Sequence, residues 1–69
     1  MRNLINYIDI IKTSLQEFDD AVVRVIDYKG RFHLIRFHKG QDVDEKCLFM
    51  ANLLGDGNKV LKIECNYNR

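Results

Sequence analysis

The chain has no proline, no tryptophan, four glycines and two cysteines among its 69 residues. Small secreted domains are usually rich in paired cysteines, so two cysteines argue against that class. The uncharged runs are far shorter than the ~20 residues of a membrane-spanning helix. Asp9 and Lys12 interrupt the apolar N-terminal stretch, which argues against a secretory signal. We therefore expect a single small domain, residues 1–69, that works in the cytoplasm.

Motifs that carry catalysis or hold a cofactor are also missing. Cys47 and Cys65 lie in apolar patterns, where a reactive thiolate is disfavoured. The run Gly55-Asp56-Gly57 precedes a strand rather than a helix, so it does not match a phosphate-binding loop. His33, His38 and the two cysteines are separated by 4, 8 and 17 residues, without the close pairs typical of zinc sites. We expect a protein that is not an enzyme and has no metal or cofactor.

Charge is unevenly distributed along the chain. Residues 24–39 contain five Lys or Arg, two His and one acid, Asp27, together with Tyr28, Phe32 and Phe37. The other 53 residues contain six Lys or Arg against nine acids, and the net charge is +1. Whole-molecule attraction to nucleic acid is therefore weak, and any such binding has to be local to the basic, aromatic middle.

The N-terminal residues 3–19 predict an amphipathic helix with Asn3 as its N-cap. Apolar residues recur there at spacings of three and four, which places them on one stripe: Leu4, Ile8, Ile11, Leu15 and Phe18. Two alternatives remain open. The isoleucines of residues 4–11 also suit a strand, and Ser14 with Glu17 has the spacing of a second helix start.

The middle of the chain predicts a β-hairpin with strands over residues 21–28 and 32–38. Asp27 and Gly30 suit the first and the left-handed position of a type I turn with a three-residue loop. Such a loop pairs odd residues with odd and even with even. One face then contains Val23, Val25, His33, Ile35 and Phe37, and the other contains Val22, Arg24, Ile26, Tyr28, Phe32, Leu34 and Arg36. Both faces are substantially apolar, which is typical of a sheet covered on one side and partly engaged on the other.

A second helix is expected over residues 43–54 and a closing strand over residues 59–67. Asp42 and Glu45 have the spacing of an N-terminal capping pair, and Gly55 suits the end of the helix. The helix stripe consists of Val43, Cys47, Met50 and Leu54, widened by Phe49 and Leu53. The resulting α-β-β-α-β order predicts an α+β domain, with two helices on one face of a three-stranded, mainly antiparallel sheet.

More apolar side chains are present than such a small domain can bury. The surplus comprises Ile5 and Ile10 on the first helix, Leu48 on the second, and Ile26, Phe32 and Leu34 on one sheet face. A protein partner or a second copy of the chain would cover them, and burying one such side chain is worth ~1.5–3 kcal/mol.

The function expected from these features is protein binding by a small intracellular regulator, adaptor or inhibitor, a kind of protein common in phages and mobile elements. The expected partner-binding residues lie on the hairpin: Arg24, Tyr28, Arg31, Phe32, Leu34 and Arg36. Aromatic side chains would supply buried area and arginines would fix the register. Nucleic-acid binding by the same basic hairpin, residues 24–39, is the alternative, and a structural homodimer is the third hypothesis.

Overall fold

The computed structural model describes residues 3–67. Its elements are a 3-10 helix Leu4–Tyr7, α1 (Ile8–Glu17), β1 (Asp20–Ile26), β2 (Phe32–His38), α2 (Val43–Leu54) and β3 (Lys59–Asn66). The three strands form one antiparallel sheet in the order β2-β1-β3. The predicted α+β class, element order and helix packing are thereby confirmed. No helix within residues 3–67 has the length and apolar character needed to cross a membrane.

The N-terminal segment is helical as predicted, but it begins as a 3-10 helix and becomes α-helical at Ile8. The Asn3 side chain caps it by accepting from the Ile5 N–H at 3.1 Å. Buried Asn58 supports the same turn, because its Oδ1 accepts from the Leu4 N–H at 2.9 Å. The helix ends at Glu17, two residues earlier than predicted, because Phe18 is already extended.

The hairpin has the predicted turn and the predicted register. The Gly30 N–H donates to the Asp27 carbonyl at 3.0 Å, and Gly30 has a φ of 84°. Ile26 pairs with Phe32, so even residues face even residues along both strands. β1 ends at Ile26 rather than at residue 28, because the turn begins with Asp27 and takes Tyr28 out of the strand.

The second helix has both predicted caps. The Asp42 side chain accepts from the Glu45 N–H at 3.1 Å, and Gly55 ends the helix with a φ of 85°. Val43, Cys47 and Leu54 are buried, whereas Phe49 and Leu53 are 62% and 63% exposed. The two last side chains were expected to widen the buried stripe. They stay in solvent because the side of α2 that faces the core is the one with Val43, Cys47 and Leu54.

The core lies between the two helices and one face of the sheet. The 3-10 helix and α1 contribute Leu4, Ile11 and Leu15, and the sheet contributes Ala21, Val23, Val25, Ile35, Phe37 and Val60. A bulge between Arg24 and Val25 shifts the register of β3 by one residue. One face of the sheet thus packs into the core, and no helix among residues 3–67 lies over the opposite face.

Candidate functional site: the open face of the sheet

The side of the sheet that faces away from both helices is called the open face here. It is formed by the even residues of β1 and β2, from Val22 to Ile26 and from Phe32 to Arg36, and by Lys62 and Glu64 of β3. Successive strand residues alternate between faces, so burying Val23 and Ile35 in the core forces their neighbours outward.

The apolar part of the open face lies at its hairpin end. Phe32 is 71% exposed and Leu34 is 67% exposed, although both belong to β2, Phe32 as its first residue. Ile26 pairs directly with Phe32 and is half-buried, so the three side chains form one continuous apolar area on two neighbouring strands. A shallow depression lies beside it, lined by Arg24, Phe32, His33 and Leu34.

The basic part of the open face adjoins this apolar area. Arg24 pairs with Leu34 on one side and with Lys62 on the other, and Arg36 pairs with Val22. Lys62 has an acidic partner, since its Nζ lies 3.1 Å from Glu64 Oε1. Within residues 3–67, neither Arg24 nor Arg36 forms an ion pair. Both arginines are exposed to solvent.

Four of the six residues predicted to bind a partner come together on the open face: Arg24, Phe32, Leu34 and Arg36. Tyr28 and Arg31 do not join them. The Tyr28 ring packs against the loop after α2, where a Cβ added to Gly55 would lie 2.7 Å from Tyr28 Cδ1. Arg31 lies in the turn before β2, outside the strand, and is exposed there.

Two histidine–aspartate pairs secure the ends of the hairpin. His33 Nε2 lies 2.7 Å from Asp27 Oδ2 at the turn, and His38 Nδ1 lies 2.6 Å from Asp20 Oδ1 at the open end. The Asp27 carboxylate also accepts from the N–H groups of Arg31 and Lys29. The hydrogen bond with His33, followed by that from Arg31, lowers the pKa of Asp27 to about 2.

His33 and His38 have opposite parity in β2, so the two histidine–aspartate pairs lie on opposite faces of the sheet. Neither pair was predicted, although the hairpin register contained the signal. Asp20 is directly opposite His38, and Asp27 is diagonal to His33. No group of three or more His, Cys, Asp or Glu within residues 3–67 is arranged to hold a metal ion.

The two cysteines differ in burial. Both are free thiols, Cys47 fully buried and Cys65 half-buried. Burial raises the pKa of the Cys47 thiol to about 11, with the nearby Asp44 carboxylate adding to the effect. At neutral pH this group is a protonated, apolar side chain of the core.

Comparison of the chain with protein-family models, with curated proteins and with solved structures gave no significant match. The geometry of the open face is therefore the basis for assigning a function.

Proposed function

We propose that the chain is a small, non-enzymatic protein-binding module, a regulator, adaptor or inhibitor of the cytoplasm, that holds its partner on the open face of the sheet. The observation that supports this most is the exposure of Phe32 and Leu34 inside a regular strand. An apolar cluster rimmed by polar groups is typical of protein interaction sites. Arg24 and Arg36 lie beside it without an ion pair to any residue from 3 to 67, and they match the arginine enrichment of such interfaces.

In the proposed complex the apolar part and the basic part of the open face contribute differently to binding. Phe32, Leu34 and the exposed part of Ile26 lose water, and each fully buried side chain contributes ~1.5–3 kcal/mol. Arg24 and Arg36 present planar, bidentate donors that fix the orientation of a carboxylate or carbonyl on the partner. The preferred partner surface therefore carries an apolar group flanked by acidic residues.

The proposal is tested by replacing Phe32→Ser and Arg36→Glu together and repeating an affinity pull-down from the source cell. The double variant should lose at least tenfold of the captured partner, while circular dichroism shows an unchanged fold. The matched control replaces Ile10→Ser and Lys39→Glu, which removes one exposed apolar group and one cation away from the open face. Equal capture by wild type and both double variants would rule out this surface.

Nucleic-acid binding is the second candidate, favoured by the adjacent cations Arg24, Arg36 and Lys62 beside an exposed aromatic ring. Phosphate contacts release counterions, so this function predicts affinity that falls steeply with salt concentration. Nuclease treatment of the extract and a gel-shift titration at low and high salt separate the two functions. Protein capture that survives nuclease treatment, together with no gel shift at low salt, would support protein binding and rule out nucleic-acid binding.

A further inference from the structure

The β2 strand forms one edge of the sheet, and part of its backbone has no partner. The Asp27 N–H donates to Arg31 O and the Lys39 N–H donates to Asp19 O, each at 2.9 Å, so the odd positions of β2 bond to β1. Antiparallel strands alternate the direction of these groups. The N–H and C=O groups of the even residues of β2 therefore point away from the sheet, toward solvent.

At the His38 end of β2, side chains form hydrogen bonds with the outward-facing backbone groups. Gln41 Oε1 accepts from the His38 N–H at 2.8 Å, and the Lys46 ammonium group donates to the Arg36 carbonyl. Within residues 3–67, no hydrogen bond reaches the outward groups of Phe32 or Leu34. The free segment of the edge is thus centred on His33. Exposed edges of this kind pair readily with another strand, and natural proteins usually block them.

We propose that this free segment pairs with the same segment of a second copy of the chain, antiparallel and about a two-fold axis at His33. Phe32 then lies opposite Leu34 of the second copy, and Leu34 lies opposite Phe32 of the second copy. This register satisfies the free N–H and C=O groups of both residues in both chains with four hydrogen bonds. It also forms two aromatic–aliphatic cross-strand pairs and leaves the contact between Lys46 and Arg36 intact.

The exposed side chains of helix α2 also support pairing with a second copy of the chain. The helical spacing places Phe49 and Leu53, three and seven residues after Lys46, on the side of α2 that reaches the β2 edge. Both side chains are more than 60% exposed. A two-fold axis on that edge brings α2 of each copy beside the other, so these apolar groups pack together and are removed from water.

The inference goes beyond the proposed function because its hydrogen bonds use the backbone edge of β2, while only the paired side chains of Phe32 and Leu34 belong to the open face. Pairing two copies gives a six-stranded sheet with a continuous open face. Arg24 and Arg36 would then be presented twice on one surface, so a partner would meet two equivalent sites.

The register is tested by disulfide formation between the variants Phe32→Cys and Leu34→Cys, each in a Cys65→Ser background that leaves Cys47 buried. Opposed residues in a hydrogen-bonded pair have Cα atoms about 5.5 Å apart, which suits a disulfide. Identical positions on the two copies are about 8 Å apart, which is too far. An oxidised equimolar mixture should therefore contain at least tenfold more covalent dimer than either variant alone. Efficient crosslinking of Leu34→Cys by itself would overturn this pairing.

Association is tested by sedimentation equilibrium of the unmodified chain, with an expected mass of twice 8.2 kDa at high concentration. Phe49→Glu should weaken dimerisation at least tenfold. Ile10→Glu is the matched control, because Ile10 is likewise exposed, at 51%, but lies on α1 rather than on α2. A mass that stays at 8.2 kDa, or equal effects of the two substitutions, would refute the dimer. A monomer that still captures its partner through Phe32 and Arg36 would leave the proposed function standing.

Discussion

At the scale of single residues, the Asp27 side chain is central to the hairpin because both of its carboxylate oxygens form hydrogen bonds. One oxygen accepts from the N–H groups of Lys29 and Arg31, and the other contacts the His33 ring. Charge-assisted hydrogen bonds of this type are stronger than neutral ones and favour the ionised carboxylate. Asp27 thereby fixes both the turn and the starting point of β2, the strand that holds Phe32 and Leu34.

The lowered pKa of Asp27 predicts an acid-sensitive hairpin. Its ordinary pKa is 3.8 and the folded value is about 2, so the unfolded chain takes up the proton first as pH falls. The stabilisation by Asp27 is complete above pH 3.8 and is lost as pH falls through about 2. We expect the melting temperature of wild type to decline more steeply between pH 4 and pH 2 than that of Asp27→Asn, as followed by circular dichroism.

The control for this prediction is Asp56→Asn, which removes an exposed carboxylate from the loop after α2. Its melting temperature should follow wild type across the same pH range. If Asp27→Asn and Asp56→Asn show the same acid dependence, the carboxylate of Asp27 does not contribute to stability in the way described.

At the scale of secondary-structure elements, much could be predicted because the signals are local. The turn at Asp27 and Gly30 fixes the parity of the hairpin, and parity alone assigns Phe32 and Leu34 to the same face. Parity therefore predicted all six hairpin residues of the open face: Val22, Arg24, Ile26, Phe32, Leu34 and Arg36. The cap residues Asn3 and Asp42 were predictable for the same reason, since each bonds to a backbone group only two or three positions away.

The remaining features depend on contacts between distant parts of the chain. The position of the Tyr28 ring depends on Gly55, which is far away in sequence. Gly55 accommodates the ring only because it has no side chain. The place of β3 beside β1 rather than β2 depends on how α2 crosses the sheet. Exposure of Phe49 depends on which side of that helix meets the sheet. None of these is encoded in a local pattern.

The contact between α2 and the hairpin turn gives an element-scale prediction. Gly55→Ala should destabilise the chain for two reasons, because a Cβ there would lie 2.7 Å from Tyr28 Cδ1 and because the backbone has a positive φ of 85° with ψ at 164°. That conformation is essentially restricted to glycine and costs other residues about 1–3 kcal/mol. Urea denaturation should show a larger loss for Gly55→Ala than for Gly40→Ala.

Gly40 is the matched control because its φ is 94° and no heavy atom lies within 4 Å of an added Cβ. Its substitution reports backbone strain alone. Combining Gly55→Ala with Tyr28→Ala should recover the steric part of the loss, so the double variant should be less destabilised than the sum of the single changes. Additive losses would show that the Tyr28 ring does not restrain this loop.

At the scale of the whole molecule, the two faces of the sheet differ in burial: one face packs into the core, and the other is exposed to solvent. A domain of about 60 residues buries only ~60% of its unfolded surface, so it has little apolar area to spare. This one nevertheless leaves nine large apolar or aromatic side chains exposed within residues 3–67. Stability thus depends on one face, while apolar side chains of the other face and of the outside of α2 stay exposed.

Adjacent residues of β2 provide a direct test of this division. Leu34 is 67% exposed on the open face, and Ile35 is 3% exposed in the core. For a dilute, monomeric sample, Leu34→Thr should change the free energy of unfolding by less than about 0.5 kcal/mol. Ile35→Thr should cost at least about 2 kcal/mol, since it leaves a cavity and buries a hydroxyl group. For a domain of this size, that loss lowers the melting temperature by roughly 8–16 °C. Similar losses for the two variants would mean that both faces are covered within one chain, and would remove the basis for placing a partner on the open face.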